Sequence, residues 1–204
     1  MKMFRMSMLM LSAALLAGGF ATSSLLAQEV AKDADGHGHD DDSMAKAEKK
    51  IADAIDKLSA EDQKLATAQR FCPMMPHGRL GAMGTPLKLT IEGKPVFVCC
   101  KGCVDDAVGG GAKTVKLAAG LVKANAALSK LPKEERAAVE AQKFCAVNTG
   151  SLLGSMGAPL KLWLDGKPVY LCCEGCTAKA QADPAATLAK VEELKAAGHE
   201  GHDH

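Results

Sequence analysis

The chain has 204 residues, a formal net charge of +1 and only 3% aromatic residues, set against eight cysteines. Near-neutral charge removes the electrostatic case for nucleic acid, and so few rings leave no stacking platform for bases. A chain of this size makes one ordinary domain or two small ones, and units below about 80 residues commonly need a disulfide or metal staple.

The first element in chain order is a leader. MKMFRMSMLMLSAALLAGGFATSSLLAQEV places Lys2 and Arg5 before an apolar run from Met8 to Leu16, then small residues with a cleavage point after Ala27. That order reads as a secretory signal peptide over residues 1–27. Gly18, Gly19, Thr22, Ser23 and Ser24 interrupt the run well short of the roughly 20 apolar residues of a spanning helix. No stable membrane anchor is therefore expected after cleavage, and the mature chain is expected to be periplasmic or secreted. Losing Lys2 and Arg5 takes the formal charge from +1 to −1.

Residues 28–43, which contain DADGHGHDDD, read as a His/Asp-rich linker, and residues 198–204, GHEGHDH, as a His-rich tail. Neither can build a core, and both are expected to be disordered. Five of the six histidines lie in these tails, which suits weak metal capture or a plain solvated linker.

Between the tails, Ile51, Ile55 and Leu58 have the spacing of a helix packing face. Ser59 with Asp62 three residues on marks a capped helix start, and Pro132 suits a first helical position. Each of these helices runs toward a cysteine, Cys72 or Cys145. A Gly-rich loop follows, then LKLTI and PVFVC around Glu92 and Gly93, which read as a β-hairpin; LKLWL and PVYLC repeat it around Asp165 and Gly166. AKTVKLAAGLVKANAAL and PAATLAKVEELKAA supply alanine-rich amphipathic helices.

A constant offset of 73 residues relates the halves. It pairs Cys72 with Cys145, Cys99 with Cys172, Cys100 with Cys173 and Cys103 with Cys176, and so uses every cysteine. Over residues 71–107, 19 of 37 positions are identical at this offset without a gap, which makes the chain a tandem duplication. The expected fold class is α+β: two cysteine-rich modules, 44–116 and 117–197, each a hairpin with flanking helices.

Within a module one cysteine, 26 intervening residues and then Cys-Cys-x-x-Cys bring distant thiols to one end of a hairpin. Thiolates are soft ligands for zinc or copper(I), and the Cys-x-x-Cys pairs have ligand spacing at a turn into a helix. Strand alternation points Cys99 and Cys100 to opposite faces, leaving open which of the two ligates. Two other readings stand beside metal binding. An even count in an exported chain suits structural disulfides, although clustered and adjacent cysteines are poor staples. CKGC and CEGC suit thiol exchange, although the parallel βαβ unit that usually carries such a motif is missing.

FCPMMPHGRLGAMGTPLKLTIEGKPVFVCCKGC resembles the TRASH and YHS group of small cysteine-rich metal-binding domains, over residues 71–107 and again 144–180. The resemblance implies a treble-clef-like fold for each module and a role in heavy-metal sensing, trafficking or resistance. It implies metal ions as cargo and a metal-transport or efflux protein as partner. It also implies Cys72, Cys99 and Cys103 as ligands, with Cys145, Cys172 and Cys176 in the second copy. The chain departs from the pattern in a longer gap before Cys99 and in the extra Cys100 and Cys173.

Met75 and His77 offer further donors near Cys72, though packing and a solvated loop account for them as well; Asn148 and Gly150 replace them in the second copy. Met83 and Met156 are expected to pack under the loop, and Trp163 to give hydrophobic cover. No shared histidine and no paired carboxylates recur between the modules, so the chain is not expected to be an enzyme.

Overall fold

The computed structural model of the protein describes residues 41–199. The expected signal peptide, most of the 28–43 linker and residues 200–204 lie outside the described residues. Helix α1, Asp41–Ile55, takes in the last three positions of the expected linker. Helix α2, Ala60–Gln69, follows, then strands β1, Leu87–Ile91, and β2, Lys94–Val98. A 3₁₀ turn, Lys101–Cys103, leads into the short α3, Val104–Gly109, and the long α4, Ala112–Leu128. The order then recurs: α5, Lys133–Gln142; β3, Leu160–Leu164; β4, Lys167–Leu171; a 3₁₀ turn, Glu174–Cys176; α6, Thr177–Ala182; and α7, Pro184–His199. Helix α7 thus includes the first two residues of the expected tail.

The starts of α2 and α5 follow from their caps. Ser59 Oγ accepts the Asp62 N–H at 3.2 Å, with Glu61 and Asp62 against the positive end of the helix. Pro132 stands at the N-cap of α5, one position before the first helical residue where it was expected.

Both sheets are two-stranded and antiparallel. Ile91 pairs with Lys94 across a two-residue turn whose residues, Glu92 and Gly93, have φ of 48° and 71°. Asp165 and Gly166 match them at 47° and 75°. Two successive left-handed residues make the tight turn that fits the twist of a hairpin, and glycine at the second place carries the conformation without strain. Val96, Phe97 and Val98 are all buried, because α4 packs on the hairpin while Gln69 of α2 bonds Phe97.

Each module has its own apolar cluster, and α4 serves both. Ala118 packs in the first with Val96 and Phe97; Leu128 packs in the second with Val139 and Leu153. The expected boundary after residue 116 falls inside this helix. Helix α1 stands to the first module as α4 stands to the second. A Cβ on Gly81 (φ 95°) would come within 2.8 Å of Ile51 O, and one on Gly154 (φ 87°) within 3.0 Å of Ala124 O. Ile51 and Ala124 are again 73 positions apart, so α4 closes one repeat and opens the next.

Polar contacts lock this junction. Asn125 Nδ2 donates to the carbonyls of Thr67 and Ala68, both at 3.1 Å, and Asn125 Oδ1 accepts from Arg136 at 2.8 Å. Arg70 and Arg136 converge on Glu140 at 3.1 and 2.9 Å. The buried Lys143 places Nζ 3.0 Å from the centroid of the Phe71 ring.

Ile55 and Leu58 pack against the first cluster as expected of a helix face, while Ala54 is the most buried residue of α1. Three expectations of burial fail. Met83 and Met156 are 53% and 60% exposed, because each sits at the tip of a turn, Gly81–Gly84 in the first copy, that projects from the loop. Trp163, 60% exposed, shares the outward face of β3 with Lys161, whose Nζ lies 5.3 Å from its ring. No helix among the described residues is long and apolar enough to cross a membrane.

Candidate metal centre

The first cysteine of each module is placed by a strained turn and a clamp. Helix α2 ends at Gln69, and Arg70 adopts φ 65° and ψ −40°. Phe71 N–H then donates back to Gln69 O at 2.7 Å, closing a γ-turn with positive φ. Lys143 repeats this with φ 63° and a 2.7 Å bond from Phe144 N–H to Gln142 O. Such turns are rare and strained, and they persist where surrounding structure enforces them.

The enforcing group is the buried glutamine at the helix end. Gln69 Nε2 donates to Phe97 O at 2.6 Å and to Phe71 O at 2.9 Å, while Oε1 accepts Phe97 N–H at 3.0 Å. Gln142 does the same with Tyr170 and Phe144, at 2.6, 2.9 and 2.9 Å. One side chain thereby ties the helix end, the segment before the first cysteine and the second strand of the hairpin. Sequence reading passed over Gln69 and Gln142, although the repeat carries the signal: AQRFC and AQKFC keep the glutamine at the offset of 73.

Beyond the clamp, Cys72 N–H donates to Gly78 O at 3.0 Å and folds a small loop back on itself; Cys145 N–H does so to Ser151 O at 3.0 Å. On the other side β2 ends at Val98, so Cys99 and Cys100 lie past the ladder. The 3₁₀ turn, closed by Cys103 N–H donating to Cys100 O at 3.2 Å, carries Cys103 inward.

The result is a buried triad in each module. The Sγ atoms of Cys72, Cys99 and Cys103 lie within 4.8 Å of one another, as do those of Cys145, Cys172 and Cys176. Cys99 and Cys103 are 3.7 Å apart, and Cys172 and Cys176 likewise. Sulfurs about 2.3 Å from one ion stand about 3.8 Å apart in a tetrahedron and about 4.0 Å in a plane. The triads therefore fit a common ion with side-chain movements of less than about 1 Å.

Of the eight cysteines singled out, six form these triads and two stand beside them. Cys100 Sγ is 4.0 Å from both Cys99 and Cys103; Cys173 Sγ is 3.9 Å from Cys172 and 4.0 Å from Cys176. Cys100 is half-buried and Cys173 exposed, whereas all six triad thiols are buried. All eight are free thiols in the structure.

Burial pushes the Cys99 thiol well above its ordinary range and Cys103 up to about 12, with the nearby Cys72 sulfur adding to both. Burial raises Cys172 and Cys176 in the same way. The raised values hold these four groups as neutral thiols, because crowded buried thiolates would repel one another, and a cation between them would favour the deprotonated form. Cys100 moves the other way: burial opposes the shift, but the Gly102 N–H and neighbouring thiols favour its thiolate. Cys145 is lowered too, since N–H groups of Asn148, Cys172 and Val147 outweigh its burial.

The surroundings of the triads differ. Met75 Sδ lies 3.8 Å from Cys99 Sγ, adding a thioether to the four cysteine sulfurs of the first module. Its counterpart Asn148 instead donates its backbone N–H to Cys145 Sγ at 3.4 Å. His77 is outside the mutually close donor set. Comparison with protein-family models, with curated proteins and with solved structures gives no match to this chain, and the donor geometry alone speaks for the site.

Proposed function

We propose that the protein is an exported binder of soft or borderline metal ions, zinc or copper(I), that captures them for trafficking or resistance, one ion to each cysteine triad. The observation that carries this reading is the pair of buried triads, each with three Sγ atoms within 4.8 Å. Cys72, Cys99 and Cys103 hold one ion, and Cys145, Cys172 and Cys176 the other. Thiolate donors favour soft ions, and loading displaces the thiol protons while the ion's charge offsets the repulsion between the sulfurs. Gln69 and Gln142 hold the donor-bearing segments in register; no catalytic step belongs to the reading.

The resemblance of both modules to the TRASH and YHS group, which implies a treble-clef-like arrangement, supports the same class of role. The leader-like order of residues 1–27 supports export to the envelope or beyond, where a transport or efflux protein would receive the ion.

Native mass spectrometry of the reduced chain tests this directly. Supplied with zinc or copper(I), the chain should retain about two ions, and Cys103→Ser should remove about one. Retention of none, together with four disulfides in the protein isolated from the envelope, would establish a stapled structural protein instead.

A further inference from the structure

The two cysteines outside the triads occupy the same place in both modules. Cys100 and Cys173 each stand at the start of the 3₁₀ turn, about one sulfur diameter from two of the three triad thiols, at 3.9 to 4.0 Å. They are also the most accessible of the eight, half-buried and exposed respectively. A resident ligand to a structural ion is normally enclosed with its partners. A solvent-facing sulfur flanking one edge of a buried three-sulfur site is placed for a different task.

We infer that Cys100 and Cys173 are exchange thiols, through which each bound ion passes between its buried triad and a thiol- or thioether-bearing acceptor at the surface. The inference rests on the proposed metal binding and adds a route for the cargo. In the outward direction the Cys100 sulfur gives its proton to solvent and bonds to the ion as the bond to Cys99 or Cys103 breaks. The released thiolate takes up a proton. An acceptor sulfur, giving its proton to solvent where it is a thiol, then bonds to the ion on its open side; a second acceptor donor follows as the remaining protein–metal bonds break and the freed thiolates take up protons. The oxidation state of the ion is unchanged throughout, and the second module follows the same course from Cys173.

The adjacent position serves this role for a geometric reason. Cys99 and Cys100 are consecutive, and Cys100 is extended (φ −157°, ψ 172°), so one chain segment offers one sulfur inward and the next outward. Cys173 repeats the conformation at φ −165° and ψ 167°. An ion moving from Cys99 or Cys103 to Cys100 keeps its other triad donors during that step, so release begins without dismantling the resting site.

The test uses the full chain loaded with two equivalents of copper(I) and an excess of glutathione as the thiol acceptor, with the copper retained by the chain counted over time by native mass spectrometry. Cys100→Ser and Cys173→Ser should each slow one of two transfer phases by about ten-fold, while equilibrium affinity stays within about two-fold, as expected of groups that act on exchange rather than on the bound state. Iodoacetamide should alkylate the loaded chain at Cys100 and Cys173 and spare the triads. Unchanged transfer rates would overturn the proposal, as would protection of Cys100 and Cys173 by the metal or the loss of one ion in each variant, which would make them resident ligands. A wild-type chain that binds no ion would overturn the metal-binding reading itself.

Discussion

Cys99 and Cys103 in the first module and Cys172 and Cys176 in the second stand 3.7 Å apart, yet what surrounds each pair differs. In the first, the thioether of Met75 touches Cys99 and the flanking Cys100 is half-buried. In the second, a backbone N–H of Asn148 faces Cys145 and Cys173 is exposed. The helix before each site is also attached differently. Glu48 of α1 forms a two-bond ion pair with Arg79, at 2.7 and 3.2 Å; the matching residues Leu121 and Leu152 line one small cavity at the module junction. Duplication has kept the sulfur triads and their glutamine clamps while the periphery diverged. Shared parts define what a site of this kind requires, and differing parts define how the two sites can be told apart.

The comparison breaks most sharply at the clamps. Gln69→Leu should cost about 3 kcal/mol, since it strips partners from three buried backbone groups, and should weaken ion binding in the first module alone. Gln142→Leu should do the same to the second. Denaturant unfolding combined with ion counting measures both effects; a loss below about 1 kcal/mol would show that the hairpin is held by other contacts.

A smaller and opposite change is expected at Lys143, the counterpart of Arg70. Burial pulls its amine down to about 7, against the pull of Glu140 and with Arg70 and Arg79 adding repulsion. The face of Phe71 offsets part of this by favouring the cation. Lys143→Met should stabilise the fold by about 2 kcal/mol near pH 6, where the wild type buries a charge. Between pH 7 and about 10 the unfolded chain keeps a proton that the folded chain has released, so wild-type stability rises with pH and the gap to the variant closes. Thermal melts of the two proteins from pH 6 to 9 would reveal a constant gap if the amine does not titrate in this way.

The two candidate metal sites should separate at Met75. Met75→Leu should lower the copper(I) affinity of one of the two sites by about ten-fold, or about 1.4 kcal/mol, and leave zinc unchanged, because a thioether is a soft donor. Competition titration with bicinchoninate reads this directly, and equal copper affinities before and after would assign Met75 to packing. The smallest effect belongs to the attachment of α1. Glu48→Ala should cost about 0.5 kcal/mol and lose even that in high salt, as a largely exposed ion pair does.

The hairpins were legible because their turns leave a chemical mark. Glu92-Gly93 and Asp165-Gly166 between alternating strands admit few other conformations. The cap at Ser59 was legible for a similar reason. The turns at Arg70 and Lys143 were not, since long basic side chains carry no turn preference and tertiary clamps impose their φ values. Met83, Met156 and Trp163 show a further limit. Recurrence at a fixed offset says that two positions share an environment, but for Met83 and Met156 that environment is the outside. Spacing named the eight cysteines without dividing them, since strand alternation left Cys99 and Cys100 open, whereas the resemblance implied Cys72, Cys99, Cys103, Cys145, Cys172 and Cys176, the six that the structure gathers. The double use of α4 also depends on packing, since its sequence has no break at residue 116 or 117.

Helix α4 gives the molecule the character of a short polymer, in which one subunit's end is the next subunit's beginning. In such an array the stability of each unit depends on itself and its immediate neighbours. Lengthening the chain by one 73-residue period between α1 and α7 would add a sulfur site and a second junction of the α4 kind, with both ends unchanged. The number of sulfur triads in this architecture is therefore quantised, growing by whole repeats.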